Sequence, residues 1–204
     1  MSDALDVPEA LSTDGGPPRR RVAPFIALTV ALVLGGLFWV LATGEGGGTD
    51  QQGVVDSPLV GRPAPAVRAL TSEGEPFDLA RRKGSFVVVN FFNSTCVPCK
   101  AEHEQLMLFA SQQATLGGLG AELYAISGHP DTPETIAAFF AERGGDWPVV
   151  MDDDGTVSVA FGVAQWPETF VIDPDGVVVL RWAGPIDAVT LAELVQQQRR
   201  AYLS

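Results

Sequence analysis

The feature that most constrains the fold of this chain is the stretch Val87-Val88-Val89-Asn90-Phe91-Phe92-Asn93-Ser94-Thr95-Cys96-Val97-Pro98-Cys99-Lys100-Ala101-Glu102-His103. It is an apolar β-like run that ends at a Cys-x-x-Cys and passes into a helical pattern. Three consecutive valines between phenylalanines over Phe86 to Phe92 predict a central strand buried on both faces. Cys96 and Cys99 are the two cysteines of the chain. A disulfide between them closes so small a loop that it removes little chain entropy, which suits a redox couple better than a structural staple. At a helix N-terminus the first sulfur meets unpaired backbone N–H groups and the positive end of the dipole, both of which favour thiolate over thiol. Cys96 is therefore the expected nucleophile, and Cys99, one turn deeper, the expected resolving thiol. Zinc would need further Cys or His ligands, and only His103 and His129 remain, so neither a metal nor a cofactor is expected.

Ahead of this motif the chain changes character three times. Residues 1–21 are polar and end in Arg19-Arg20-Arg21, which predicts a disordered cytoplasmic tail. Residues 22–43 carry no charge and are rich in Leu, Val, Phe and Ile, long enough for a transmembrane anchor of roughly 20 apolar residues. The arginines before that run, with Glu45 and Asp50 after it, place the N-terminus in the cytoplasm and the rest outside it. The competing reading is a cleaved signal peptide with its small-residue site near Val40-Leu41-Ala42, although the apolar run exceeds a usual signal core of roughly 7–15 residues. Residues 44–53, with three consecutive glycines, read as a flexible linker, and residues 54–204 as one domain. From residue 53 onward ten Lys and Arg face nineteen Asp and Glu, a net charge of −9 that argues against nucleic acid or an anionic membrane surface as partner.

Within the domain, a turn at Thr71 to Pro76 joins two short strands, and Arg81-Arg82-Lys83-Gly84 reads as a solvated basic turn. Leu106, Phe109 and Ala110 give the helix after the cysteines an inward face, and Gly117-Gly118-Leu119-Gly120 ends it. A strand over Glu122 to Ser127 follows. A helix then runs over 132–143, with Thr132 as N-cap and Pro133 in its first turn. A short strand at 148–151 leads to a tight turn at Asp152-Asp153-Asp154-Gly155, which lacks the alternating ligands and closing Glu of a calcium loop. A hairpin around Pro174-Asp175-Gly176 and a last helix over 187–201 complete an α/β pattern with a mixed sheet.

The strand, the Cys-Val-Pro-Cys helix start and the later Trp166-Pro167-Glu168-Thr169-Phe170-Val171-Ile172-Asp173 together resemble the thioredoxin-like fold. The similarity is to its membrane-tethered branch, the TlpA and ResA proteins and the DsbE (CcmG) type reductases of cytochrome c maturation. Lys100-Ala101-Glu102-His103 and Pro167-Glu168-Thr169-Phe170 are most similar to the last type, and the likeness covers roughly residues 61–202. The resemblance implies a mixed central sheet flanked by helices, with the TlpA-type strand–helix insertion between Cys99 and Pro167. It implies a cis proline at Pro167, and client contact by Trp166, Pro167, Val97 and Pro98. It sets Asn90 where thioredoxins have a buried aspartate. It makes Glu102 a candidate acid/base for Cys99, against the alternative of a helix-surface glutamate. His103 reads as a surface residue. Thr95 departs from the tryptophan usual before the first cysteine, and Asn93-Ser94-Thr95 spells a glycosylation acceptor that a working site would not tolerate.

The function this implies is an extracytoplasmic, membrane-anchored thiol:disulfide oxidoreductase acting as a reductant. Its clients would be protein disulfides or the CxxCH thiols of apocytochrome c, or a helper of that pathway, and a transmembrane thiol carrier would re-reduce it. An oxidase that introduces disulfides into secreted proteins would use the same two cysteines, because Val97-Pro98 does not set the direction. A redox-inert tethered binding module with a permanent disulfide is the alternative of another class.

Overall fold

The computed structural model describes residues 23–43 and 53–204, and the chain divides into two units, Met1–Gly47 and Gly48–Ser204. In the first, α1 (Ala23–Thr43) is a 21-residue helix without a charged residue. Its described side chains run from Ile26 to Gly36, and among the described residues no helix is long and apolar enough to cross a membrane. The expected tail and all but the last residue of the expected linker lie outside the described residues.

Alternation along one strand sets the layering of the second unit. All five residues of β4 (Val87–Phe91) are buried. Val88, with flanking Phe86 and Phe92, packs into one apolar cluster, while Val87, Val89 and Phe91 pack into another on the opposite face. Each such side chain contributes roughly 1.5–3 kcal/mol by leaving water. The first cluster lies under α2 (Val97–Thr115) and α5 (Ala188–Tyr202), which supply Leu106 and Phe109, and Leu191 and Val195. Asn90, in phase with Val88, points to that same helical side, and this decides the site described below.

The sheet order is β1 (Gly53–Val54), β8 (Val178–Ala183), β7 (Glu168–Ile172), β4, β5 (Glu122–Gly128), β6 (Val149–Asp152). The pairs β4–β5 and β5–β6 are parallel, and β4–β7, β7–β8 and β8–β1 antiparallel, the mixed sheet expected of a thioredoxin-like domain. β2 (Arg68–Leu70) and β3 (Pro76–Asp78) form their own antiparallel pair, tied to β6 through Thr71 and Val150. Between Cys99 and Pro167 lie β5, α3 (Pro133–Arg143), β6 and α4 (Thr156–Phe161). α3 begins at a capping box in which Thr132 and Thr135 bond reciprocally, as a Thr–Pro start requires.

Two local expectations are refined. The turn after β6 is the start of α4: the Asp152 carboxylate accepts the Val157 and Ser158 N–H groups at 2.9 and 2.8 Å and the Ser158 hydroxyl, so this aspartate caps a helix. Gly155 takes the left-handed conformation, φ 72°, that the entry to α4 requires. The basic segment begins as a 3-10 turn, Leu79–Arg82; Arg81, Lys83 and Gly84 are exposed as expected, while the Arg82 guanidinium packs over the Phe77 and Tyr124 rings at 5.8 and 5.4 Å.

Candidate functional site

The site forms where β4 ends. Continuing its antiparallel register with β7, in which Phe91 opposes Glu168, sets Pro167 opposite Phe92, directly before the segment that carries the cysteines. Cys96 is the N-cap of α2, in extended conformation, with Pro98 in the first turn. Its sulfur accepts the Cys99 N–H at 3.2 Å, so a free backbone donor of the helix start is already aimed at the first sulfur. Cys96 and Cys99 are joined in a disulfide, with Cα atoms 5.3 Å apart. Cys99 is buried and Cys96 is half-buried, so an incoming thiol reaches the first sulfur and not the second.

Val97, next to Cys96 in the chain, is 76% exposed, and Trp166, directly before Pro167, is 43% exposed. The Trp166–Pro167 peptide is cis, and so is His129–Pro130, which the sequence reading did not anticipate. The Pro167 carbonyl accepts the Gly184 N–H at 2.9 Å, while Pro98 is exposed beside Val97. Thr95 is exposed, and its N–H and hydroxyl both go to Asn93 Oδ1. The side chain that takes the place of a tryptophan is thus folded back on its own loop. Asn93 itself is 2% exposed, so its side chain belongs to the inside of this loop.

Below the disulfide lies a polar chain in an otherwise apolar layer. Glu102 is 2% exposed, so its carboxyl is in the core and not on the helix surface. Its Oε1 accepts the Ile186 N–H at 3.0 Å and its Oε2 accepts Asn90 Nδ2 at 3.1 Å. Asn90 Nδ2 also donates to Thr169 Oγ1 at 3.0 Å, which links α2, β4 and β7. Burial pushes the Glu102 carboxyl up to about 8, the hydrogen bonds from Ile186 and Asn90 opposing it only in part. Glu102 follows Cys99 by three residues on α2 and so shares its face. Asn90, Cys99 and His103 line a void of ≈ 10 Å³, at the lower limit for one water.

His103 corrects the sequence reading. It is 2% exposed, its Nε2 lies 2.8 Å from the Gly144 carbonyl, and its ring packs against Phe139, Phe140 and Trp147. Burial lowers its pKa below the ordinary 6.5, against the pull of the Gly144 carbonyl, so it serves here as a neutral donor in an aromatic box. No sequence signal marked this, because a helical His after a Glu reads equally well as surface.

Sequence reasoning also missed two anchors of the site loops. Glu168, 1% exposed, accepts the Ala164 and Gln165 N–H groups at 3.1 and 3.3 Å and pairs with Arg181 at 2.9 Å. The loop that ends at Trp166 is therefore fixed by a buried ion pair. Asp131, on the β5–α3 connection, holds Ser94. Among the described residues no three His, Cys, Asp or Glu side chains converge as a metal set.

Comparison with known proteins agrees with this geometry. The family model for AhpC/TSA proteins matches residues 60–181. The chain is similar to the thiol:disulfide interchange protein HelX of Rhodobacter capsulatus, 36% identical over 65% of this chain and 73% of that one. It is also similar to the thiol:disulfide interchange protein DsbE homolog of Paracoccus denitrificans, 34% identical over 81% of this chain and 88% of that one. Among solved structures, a thioredoxin-family thiol:disulfide interchange protein of Chlorobium tepidum superposes with a TM-score of 0.59 at 26% identity, covering 70% of this chain and 98% of that chain.

Proposed function

The chain belongs to the AhpC/TSA family, alongside thiol:disulfide interchange proteins of the DsbE and HelX type, and from that premise we propose how its disulfide works. It is a thiol:disulfide oxidoreductase of cytochrome c maturation. It acts as a reductant outside the cytoplasm, tethered by residues 22–43. The observation that carries this reading is the asymmetric Cys96–Cys99 disulfide at the start of α2, with an accessible first sulfur and a buried second one.

In the reduced protein the Cys96 thiolate attacks one sulfur of a client disulfide; that bond breaks, a mixed disulfide forms, and the leaving client thiolate takes a proton from water. The ionised form of Glu102 then accepts the Cys99 proton, and the Cys99 thiolate attacks Cys96 Sγ, expelling the second client thiolate, which takes up a proton in turn. The client has gained two electrons, and the protein is left as the disulfide seen here. A carboxyl held at about 8 exchanges a proton with a thiol near neutral pH at little cost, whereas one at its ordinary 4.5 would be a weak base for this step. Val97, Pro98, Trp166 and Pro167 form the client platform, with an extended client segment running beside Trp166. Clients are disulfides formed between CxxCH thiols of apocytochrome c or in a helper protein, and a transmembrane thiol carrier returns the enzyme to the dithiol.

Two measurements test this. Cys96→Ser exchange in cells should abolish holo-cytochrome c, and normal levels would sink the pathway assignment. The reduction potential of the pair should fall near the thioredoxin value of about −270 mV, whereas a value near −120 mV, that of a strong oxidant, would assign the reverse reaction.

A further inference from the structure

The loop that delivers Cys96 is held from below by a residue that neither the Cys-x-x-Cys nor the Trp-Pro-Glu-Thr motif contains. Asp131 is 6% exposed. Its Oδ2 accepts the Ser94 N–H at 2.8 Å and the Ser127 hydroxyl, and its Oδ1 accepts the Ser94 hydroxyl and, at 3.3 Å, the Thr135 hydroxyl. Four donors from three segments converge on one side chain, and both of its oxygens act as acceptors, which is the pattern of a carboxylate.

We propose that Asp131 is a positioning residue of the redox centre: it clamps Ser94, two residues before the nucleophile, and its buried negative charge biases the Cys96–Cys99 pair toward the disulfide. The chain of contacts is short. Ser94, which Asp131 holds through both its N–H and its hydroxyl, precedes Cys96 by two residues, and burial of the carboxylate weakens the screening of its charge by salt. A thiolate at Cys96 is raised in energy by this charge and the disulfide is not, so the carboxylate disfavours the reduced state and makes the dithiol a stronger electron donor. The other ionisable groups around Cys96 do not duplicate it. Lys100 is one turn on along α2, Glu102 points to Asn90 and Ile186, His103 to Gly144, and Glu168 is paired with Arg181, while His129 and Glu134 are exposed on the flanks of the Asp131 segment. The Asp131 carboxylate is bonded directly to the loop that bears Cys96.

This inference rests on the redox reading above. The experiment equilibrates the full-length protein in detergent with glutathione buffers, where two glutathione thiols reduce the Cys96–Cys99 disulfide to two thiols and become one glutathione disulfide. The Asp131→Asn variant keeps the shape and removes the charge. It should shift that equilibrium at least threefold toward the dithiol and move the pH midpoint of iodoacetamide alkylation of Cys96 downward; a smaller shift in a folded variant overturns the proposal. A purely structural clamp would lower the melting temperature and leave both readouts in place. Should Asp131→Asn not fold, Ser127→Ala removes one donor from the carboxylate without touching the active-site loop. It should move the equilibrium the opposite way, toward the disulfide, and an unmoved equilibrium or one shifted toward the dithiol overturns the proposal. A wild-type pair that does not exchange with glutathione at all overturns the redox reading together with this one, whereas normal wild-type exchange with an unmoved Asp131→Asn overturns this one alone.

Discussion

Asn90 Nδ2 lies 3.1 Å from Glu102 Oε2 in the layer beneath the disulfide, and the same nitrogen bonds Thr169 Oγ1 on the neighbouring strand. A non-ionising amide at the end of the central strand thus holds an ionisable carboxyl on the active-site helix. Burial keeps the Glu102 carboxyl protonated into the neutral range, against the two N–H donors from Asn90 and Ile186, which favour its ionised form.

Glu102→Gln should slow resolution of the mixed disulfide by roughly 100-fold at pH 7, the scale of a lost general base. Attack by Cys96 should change little. Stopped-flow quenching with a labelled client disulfide separates the two steps, and the wild-type inflection near pH 8 should vanish in the variant.

The same carboxyl makes stability fall with rising pH. Unfolded, it releases its proton near 4.5; folded, it keeps it to about 8, so the folded chain holds the extra proton between those values. Stability is full below the lower value, declines across the window and is flat above it, by an amount on the order of a few kcal/mol. Buried His103 has its pKa lowered from 6.5 and contributes the opposite slope below that value, so the range from pH 6.5 to 9 isolates Glu102. Urea midpoints of the oxidised protein should drop over that range, and those of Glu102→Gln should not.

Arg181→Met should destabilise the protein by about 3–5 kcal/mol, because it strands the Glu168 carboxylate, 1% exposed, without its cation. Since Glu168 also holds the Ala164 and Gln165 N–H groups, client exchange should slow in the surviving folded fraction. Chemical denaturation and turnover at low temperature check both.

Trp166→Ala should raise KM for a protein client roughly tenfold at unchanged kcat, as loss of an exposed aromatic anchor does. Exchange with glutathione disulfide, too small to use the platform, should be unaffected. Equal losses with both substrates would show that Trp166 shapes the disulfide instead of the client contact.

Asp152→Ala removes three hydrogen bonds at the start of α4 and should cost about 1–3 kcal/mol. Its reduction potential should match wild type, because α4 lies outside the residues that touch the disulfide. A denaturation curve and a glutathione titration of one sample decide both points.

The sequence by itself determined the central strand, the helix that starts at its cysteines and most of the strands and helices around them, though not α4. These follow from short-range patterns: β-branched runs, apolar spacing, Thr132 before Pro133, Gly176 in a turn. It also exposed the redox pair, because two cysteines two residues apart have few other uses. The tertiary structure alone decided which polar residues serve the site. Glu102 reads as either an acid/base or a helix-surface residue and its neighbour His103 as surface, yet the first closes a hydrogen-bonded chain to Asn90 and the second sits in an aromatic box at Gly144. Asp131 and Ser94 are 37 residues apart, and Glu168 and Arg181 meet only because β7 and β8 pair in register. Burial and long-range contact depend on how whole elements pack, and no local window of the sequence carries that information.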